Sequence, residues 1–180
     1  LGGYSALRVM EDMPCIDMTG FHAIPGLVDS HLHGSGGFAV MDAAEQGDLS
    51  PISAVLATHG VTSFMMTVLS ATTERMLSVT SALADLIEGD CKGAMPVGIH
   101  FEGPYLNVEK RGAQRERHIR PIDLGEMREL LAAGRGHVRM VTFAPELAGV
   151  DEFLALLFEH GVVPSMGHSL AAEDQVIRAV

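Results

Sequence analysis

Two hydrophobic periods alternate along this chain. Short runs rich in apolar and β-branched residues read as buried strands at Leu27 to His33, Val61 to Thr67, Met95 to Phe101, Val138 to Phe143 and Val162 to Met166. Between them lie segments whose apolar residues recur at three- and four-residue intervals, the period of a helix with one buried face. The segment from Thr73 to Glu88 sets Met76, Thr80, Leu83 and Ile87 on such a face. Further helices are predicted over about Leu49 to Thr58, Leu124 to Ala133, Asp151 to His160 and Ala171 to Val180. Asp123 stands as the cap of the 124–133 helix with Glu126 as its third-position partner, and Gly134 stops it. Gly34, Gly36 and Gly37 mark a loop after the first strand.

Five β-α units in a row specify a parallel sheet with helices packed outside it, because parallel neighbours need long crossovers. A doubly wound open sheet and a (β/α)8 barrel of the TIM type both satisfy the pattern. Gly34-Ser35-Gly36-Gly37 lacks the third glycine and the immediate helix start of a dinucleotide fingerprint. Metal-capable side chains at the C-terminal ends of strands one, three and five favour the barrel, whose chemistry sits at that end. A full barrel takes about 250 residues and eight strands, so residues 25–180 read as an incomplete barrel. Residues 1–24 read as part of a small β-subdomain, with β-leaning pieces at Ala6 to Met10 and Phe21 to Ile24; a plain N-terminal hairpin is the alternative.

Composition narrows the class. With 180 residues and 47% hydrophobic content the chain can bury a substantial core. A formal charge of −11, from 12 Lys and Arg against 23 Asp and Glu, argues against a nucleic-acid partner. Small anionic substrates need only a local pocket and stay open. Cys15 and Cys91 are far apart and suit a reducing cytoplasm. No apolar run approaches the ~20 residues of a membrane span, and no basic-then-apolar leader is seen. The start at Leu1 suggests that a piece of the N-terminus is missing.

The candidate chemistry lies in four residues: His31 and His33 in Asp-Ser-His-Leu-His, Glu102 in His-Phe-Glu-Gly-Pro, and His168 in Met-Gly-His-Ser. If the strands are parallel neighbours, the four converge. His31 and His33, two apart on a strand, point to one side and can reach one ion. A hard oxygen and imidazole nitrogens suit Zn²⁺ or a similar divalent metal, which polarises a carbonyl and lowers the pKa of bound water. Asp29 reads as a supporting carboxylate. His100 shares a side of its strand with Glu102 and reads either as pocket lining or as packing. His22, His59, His118, His137 and His160 read as surface or packing residues. Lys110, Arg111, Arg115 and Arg117 form a basic cluster in an acidic chain, suited to a phosphate or simply to solvent.

Pro25-Gly26-Leu27-Val28-Asp29-Ser30-His31-Leu32-His33-Gly34 resembles the opening of the amidohydrolase superfamily. His100-Phe101-Glu102-Gly103-Pro104-Tyr105-Leu106, Lys110-Arg111-Gly112-Ala113-Gln114, Thr142-Phe143-Ala144-Pro145-Glu146 and Gly167-His168-Ser169 resemble, within it, the N-acetylglucosamine-6-phosphate deacetylases, in order and spacing. The resemblance implies a metal-dependent hydrolase that converts a phosphorylated N-acetyl amino sugar to acetate and the free amine. It implies Glu102 and His168 as ligands of the main metal, most simply Zn²⁺ with Fe²⁺ as another choice, together with a His from a sixth strand beyond Val180. It implies a second ion at His31 and His33 in those members that keep the pair, and sugar contacts by Ala113 and Gln114. The catalytic Asp is expected on an eighth strand beyond Val180, so no catalytic residue is expected in this chain. The family also implies a homodimer whose neighbouring subunit helps hold the phosphate. Val138 to Phe143 lacks the lysine that bridges two metals in other branches. A different N-acyl substrate and a non-catalytic half-barrel that associates with a partner are the competing readings.

Overall fold

The computed structural model describes Pro14 and residues 16–179. In chain order the elements are β1 (Leu27–Leu32), a two-strand hairpin of β2 (Gly34–Ser35) and β3 (Phe38–Ala39), α1 (Val40–Gln46), α2 (Ser50–Thr58) and β4 (Val61–Leu69). These are followed by α3 (Thr73–Glu88), β5 (Met95–Glu102), α4 (Leu124–Ala133), β6 (Val138–Phe143), α5 (Val150–Glu159), β7 (Val163–Met166) and α6 (Glu173–Arg178). The main sheet runs β1-β4-β5-β6-β7, every pairing is parallel, and the sheet curls as half of a barrel. Each strand of this sheet therefore neighbours the next one in sequence, with helix in every crossover. Among the described residues no helix is long and apolar enough to cross a membrane.

Strand parity sorts the side chains into two faces. Phe64, Met66 and Val68 of β4, Ile99 and Phe101 of β5, and Val141 and Phe143 of β6 are fully buried. They pack with Met76, Val79 and Leu83 of α3, Met127 and Leu130 of α4, and Phe153 and Leu157 of α5. The alternate positions carry Thr67, His100, Glu102 and Thr142. Register sets Thr67 beside His100, and Glu102 beside both Leu69 and Thr142. Polar groups thus gather on the face turned away from the helices, toward the C-terminal strand ends.

All five predicted strands are present, within one or two residues at their ends. One expectation about the elements needs correction. The glycine loop after the first strand holds β2, β3 and α1, a helix that was not predicted; its Val40, Met41, Ala43 and Ala44 are buried. At seven residues α1 is too short for its period to stand out from its neighbours. Phe21 to Ile24 forms no strand, and Phe21 and Ile24 are largely exposed without a pairing edge among the described residues. Ala6 to Met10 lies outside the described residues.

The helix cap is also only half as predicted. Asp123 accepts a hydrogen bond from the Glu126 backbone N–H at 3.0 Å. The Glu126 side chain does not return to the cap. It is buried, and it accepts from Arg120 Nε at 2.9 Å and Nη2 at 2.5 Å, Thr73 Oγ1 at 2.6 Å and Tyr105 O–H at 3.0 Å. Arg120 donates further to the carbonyls of Ala71 and His118 at 2.9 and 2.8 Å. This knot pins the long connection from Gly103 to Asp123, which carries Ala113 and Gln114, against α3 and α4.

Burial opposes ionisation of Glu126, but hydrogen bonds from Arg120 and Thr73 and the Arg120 charge hold its carboxyl below the ordinary 4.5. Its stabilising contribution is therefore complete above the unfolded value and is lost as pH falls through the lowered folded one. Glu126→Ala, which leaves Arg120 and Tyr105 without their partner, is expected to cost about 3 kcal/mol in urea unfolding at pH 7. Glu126→Gln is expected to flatten the loss of stability on acidification below pH 4.5. A Glu126→Ala protein that unfolds at the wild-type urea concentration would remove the knot from the account of stability.

Candidate metal centre

The end of β1, the end of β5 and the turn after β7 converge on one point. His31 lies within β1 and His33 directly after it, and their Nε2 atoms are 3.1 Å apart. Glu102 is the last residue of β5; its Oε1 lies 3.3 Å from His31 Nε2 and its Oε2 lies 3.2 Å from His33 Nε2. The donor atoms of His31, His33 and Glu102 all fall within 4.8 Å of one another, a group able to hold a metal ion. His168 reaches the same carboxylate, with Nε2 at 3.1 Å from Oε1. The two histidines are roughly half exposed, whereas Glu102 is buried.

Local backbone chemistry makes this convergence possible. Gly103, immediately after Glu102, has φ +89°, and a Cβ there would come 2.3 Å from Ser70 Oγ. The chain can therefore turn sharply off β5 and leave the Glu102 carboxylate at the strand end. Asp29 Oδ1 accepts from the His31 backbone N–H at 3.1 Å, so that carboxylate supports the backbone of β1. His100 is buried beneath the cluster, its Nδ1 3.1 Å from Thr67 Oγ1 and its Nε2 2.8 Å from Thr142 Oγ1. The His31 ring stands edge-on to it with centroids 4.8 Å apart. His100 therefore forms the floor and ties β4, β5 and β6 together under it.

The charge balance is that of a cation site. Burial alone would raise Glu102, yet hydrogen bonds with His33 and His168 and the charges of His33 and His31 bring it down to about 2. His33 is raised above 6.5, chiefly by its hydrogen bond with Glu102, with burial opposing. Burial, followed by the charge of His31, drives His100 down to about 4 against the pull of Glu102, so the floor is neutral.

The donor set fits a metal ion on a second ground. His168 Nδ1 lies 2.7 Å from the Lys110 carbonyl, which can only accept, so Nδ1 carries a proton. A neutral His168 then turns the lone pair of Nε2 toward a carboxylate oxygen 3.1 Å away. Two lone pairs in that position repel unless a proton or a metal cation lies between them.

The remaining site candidates divide clearly. Gln114 is buried; its Nε2 donates to Glu102 Oε2 at 2.6 Å and to the Glu102 carbonyl at 3.2 Å, and its Oε1 accepts from the Ser70 N–H at 3.0 Å. Its amide is thus engaged in orienting Glu102. Ala113 lines a small cavity beside it with Leu69, Arg115 and His118. In the basic cluster, Arg111 donates to the Val108 carbonyl and lies 3.7 Å from Glu116. His59, His137 and His160 bond to the Val55 carbonyl, Glu88 and the Leu156 carbonyl, away from the centre. The residues that were not anticipated are Asn107, Glu146 and Ser169, which bond to one another around His168. Glu146 stands in a quoted motif, but nothing in its spacing says that three loops meet on it.

N-acetylglucosamine-6-phosphate deacetylase of Vibrio furnissii is 32% identical over 157 residues, covering 87% of this chain and 39% of that protein. N-acetylgalactosamine-6-phosphate deacetylase of a Shewanella species is 32% identical over 169 residues, covering 94% and 42%. A solved structure of N-acetyl-D-glucosamine-6-phosphate deacetylase from Mycobacterium smegmatis, an Asp-to-Ala mutant in complex with N-acetyl-D-glucosamine-6-phosphate, aligns with a TM-score of 0.80 at 38% identity. The alignment covers 87% of this chain and 40% of that one. The chain therefore spans about two fifths of the length of the relatives it matches. The amidohydrolase family model matches residues 22–168, most of the sequence, and the chain belongs to the amidohydrolase family.

Proposed function

We propose that this chain carries the metal-holding part of a deacetylase that hydrolyses the N-acetyl amide of an amino-sugar 6-phosphate, N-acetylglucosamine 6-phosphate in the first instance. The observation that supports this most is the meeting of His31, His33 and His168 on the one buried carboxylate of Glu102, at the catalytic end of the strands. Similarity to named deacetylases at 32–38% identity supports the substrate class.

Glu102 and His168 hold the principal ion on this reading, and His31 and His33 hold the same ion or a second one beside it. Zn²⁺ suits the mixture of imidazole and carboxylate donors. When bound, such an ion polarises an amide carbonyl and lowers the pKa of water. Gln114 keeps the Glu102 carboxylate turned toward the histidines, and the Lys110 carbonyl keeps His168 in the tautomer whose Nε2 is free to bind. His100, neutral and enclosed, adds no positive charge to repel a cation. The leaving amine needs a proton, and we assign its donor to an aspartate outside these 180 residues. The Asp-to-Ala change in the relative solved with its sugar phosphate supports that assignment.

The Shewanella relative named for the galactose epimer matches this chain at 32% identity, as does the Vibrio furnissii relative named for the glucose form, so N-acetylgalactosamine 6-phosphate is the second substrate reading. The ratio of kcat/KM for the two epimers, measured on an enzyme with all eight strands, separates them.

Zinc titration of the 180-residue chain tests the site itself. Weak uptake is expected, since one further His ligand is assigned outside these residues, and Glu102→Ala is expected to weaken it by more than the 10- to 100-fold that outer-sphere changes typically cost. Unaltered affinity in Glu102→Ala would overturn the assignment. Because His33 is raised above 6.5 by Glu102, protons compete with the metal from a higher pH than at an ordinary imidazole. Zinc affinity should begin to decline at a higher pH than it does at an ordinary imidazole site. The 180 residues are expected to release no acetate from N-acetylglucosamine 6-phosphate, and measurable release would refute the placement of the proton donor elsewhere.

A further inference from the structure

His168 has an unusual backbone. Its φ is +51°, in the left-handed region that a β-carbon disfavours, and it is neither glycine nor asparagine. Such a conformation persists only where the surroundings hold it. Two contacts grip the residue directly: the Asn107 N–H donates to the His168 carbonyl at 2.9 Å, and His168 Nδ1 donates to the Lys110 carbonyl at 2.7 Å. Both come from the first 3-10 turn after β5, Val108–Lys110 with Asn107 as its cap, so the position of His168 depends on the position of that turn.

One side chain fixes that turn to the segment after β7 that carries His168. Glu146, in the loop between β6 and α5, accepts three hydrogen bonds. Asn107 Nδ2 donates to its Oε1 at 2.8 Å, the Leu170 N–H donates to Oε1 at 2.7 Å, and Ser169 Oγ donates to Oε2 at 2.6 Å. Ser169 Oγ in turn accepts from the Ala171 N–H at 2.8 Å. Burial would raise the Glu146 carboxyl, but the bonds from Ser169, Leu170 and Asn107 outweigh it and hold the group ionised. A single carboxylate therefore joins the loops that follow β5, β6 and β7, and it does so on both flanks of His168.

We infer that Glu146 is a positioning residue: its carboxylate latches three loops together, holds His168 in the left-handed conformation and thereby aims Nε2 at Glu102. The inference rests on the metal reading only for its effect on affinity. Glu146 touches neither Glu102 nor the histidine rings, so its effect passes through His168.

The test has one arm that needs no metal. Hydrogen exchange of the metal-free chain reads the latch directly. Glu146→Ala is expected to speed exchange of the Leu170 amide and its neighbours from Gly167 to Ala171 by at least ~10-fold, with the strand amides of β4 and β5 unchanged. Zinc titration reads the consequence. Glu146→Ala is expected to weaken zinc binding about 10-fold, Glu146→Gln to recover most of it, because its remaining oxygen still accepts from Asn107 and Leu170, and Ser169→Ala to fall between. In a His168→Ala background Glu146→Ala should cost nothing further. An equal loss in that background would mean that Glu146 acts on the whole fold and would overturn the proposal. So would unchanged exchange at Leu170. If the wild-type chain takes up no zinc, the metal reading fails alone and the exchange arm still decides the latch. If Glu146→Ala does not fold, Glu146→Gln and Ser169→Ala carry the comparison, and wild-type exchange in Ser169→Ala would overturn it.

Discussion

A carboxylate removed from solvent stays ionised only if donors and positive charge surround it, and Glu102 meets that condition on every side. Gln114 donates to Oε2 from the long loop, His33 approaches the same oxygen, and His31 and His168 approach Oε1. These partners come from β1, the segment after β5 and the turn after β7. None is near Glu102 in sequence except Gln114. The sheet order β1-β4-β5-β6-β7 puts β5 at its centre, so elements from either end can reach its last residue. The helix-side core of Phe64, Ile99, Phe101 and Phe143 holds that centre in place.

Two polar knots set the loops around the carboxylate, and both are built on glutamates that serve as acceptors. Glu126 gathers Arg120, Thr73 and Tyr105, and so fixes the far end of the loop that carries Gln114. Glu146 gathers Asn107, Ser169 and Leu170 at the other side. Apolar packing positions the strands and helices, but loops that bury little apolar surface need directional bonds to keep one conformation. A centre assembled from strand ends and loops therefore requires both kinds of force.

Most of the framework was legible in the sequence because strand and helix signals are local. The short apolar, β-branched runs located all five sheet strands and the helix-like segments the longer helices, and the His-x-His and Glu102 motifs hold residues that converge at the strand ends. α1 escaped because seven residues carry too little periodicity. Glu126 looked like a capping residue because the Asp-x-x-Glu spacing is local, whereas Arg120 and Thr73 are brought to it by tertiary packing. The support that Gln114 gives Glu102 was not legible, because it depends on the positions of Ser70 and the β5 end. Glu146 and the positive φ of His168 leave no trace in composition or spacing, since both depend on three separate loops meeting.

The alternation along β5 has an evolutionary corollary. Ile99 and Phe101 face the helices while His100 and Glu102 face away, so the oily and the chemical halves of the strand are threaded through each other one residue at a time. Adding or deleting a single residue within the strand, with no bulge to absorb it, would turn the phenylalanine toward the histidines and drive the carboxylate into the apolar layer. A descendant of this strand can therefore change its length without changing its trade in steps of two or where a bulge absorbs the odd residue, as the register does between Pro96 and Gly98, and drift in length should otherwise be confined to the loops at its beginning.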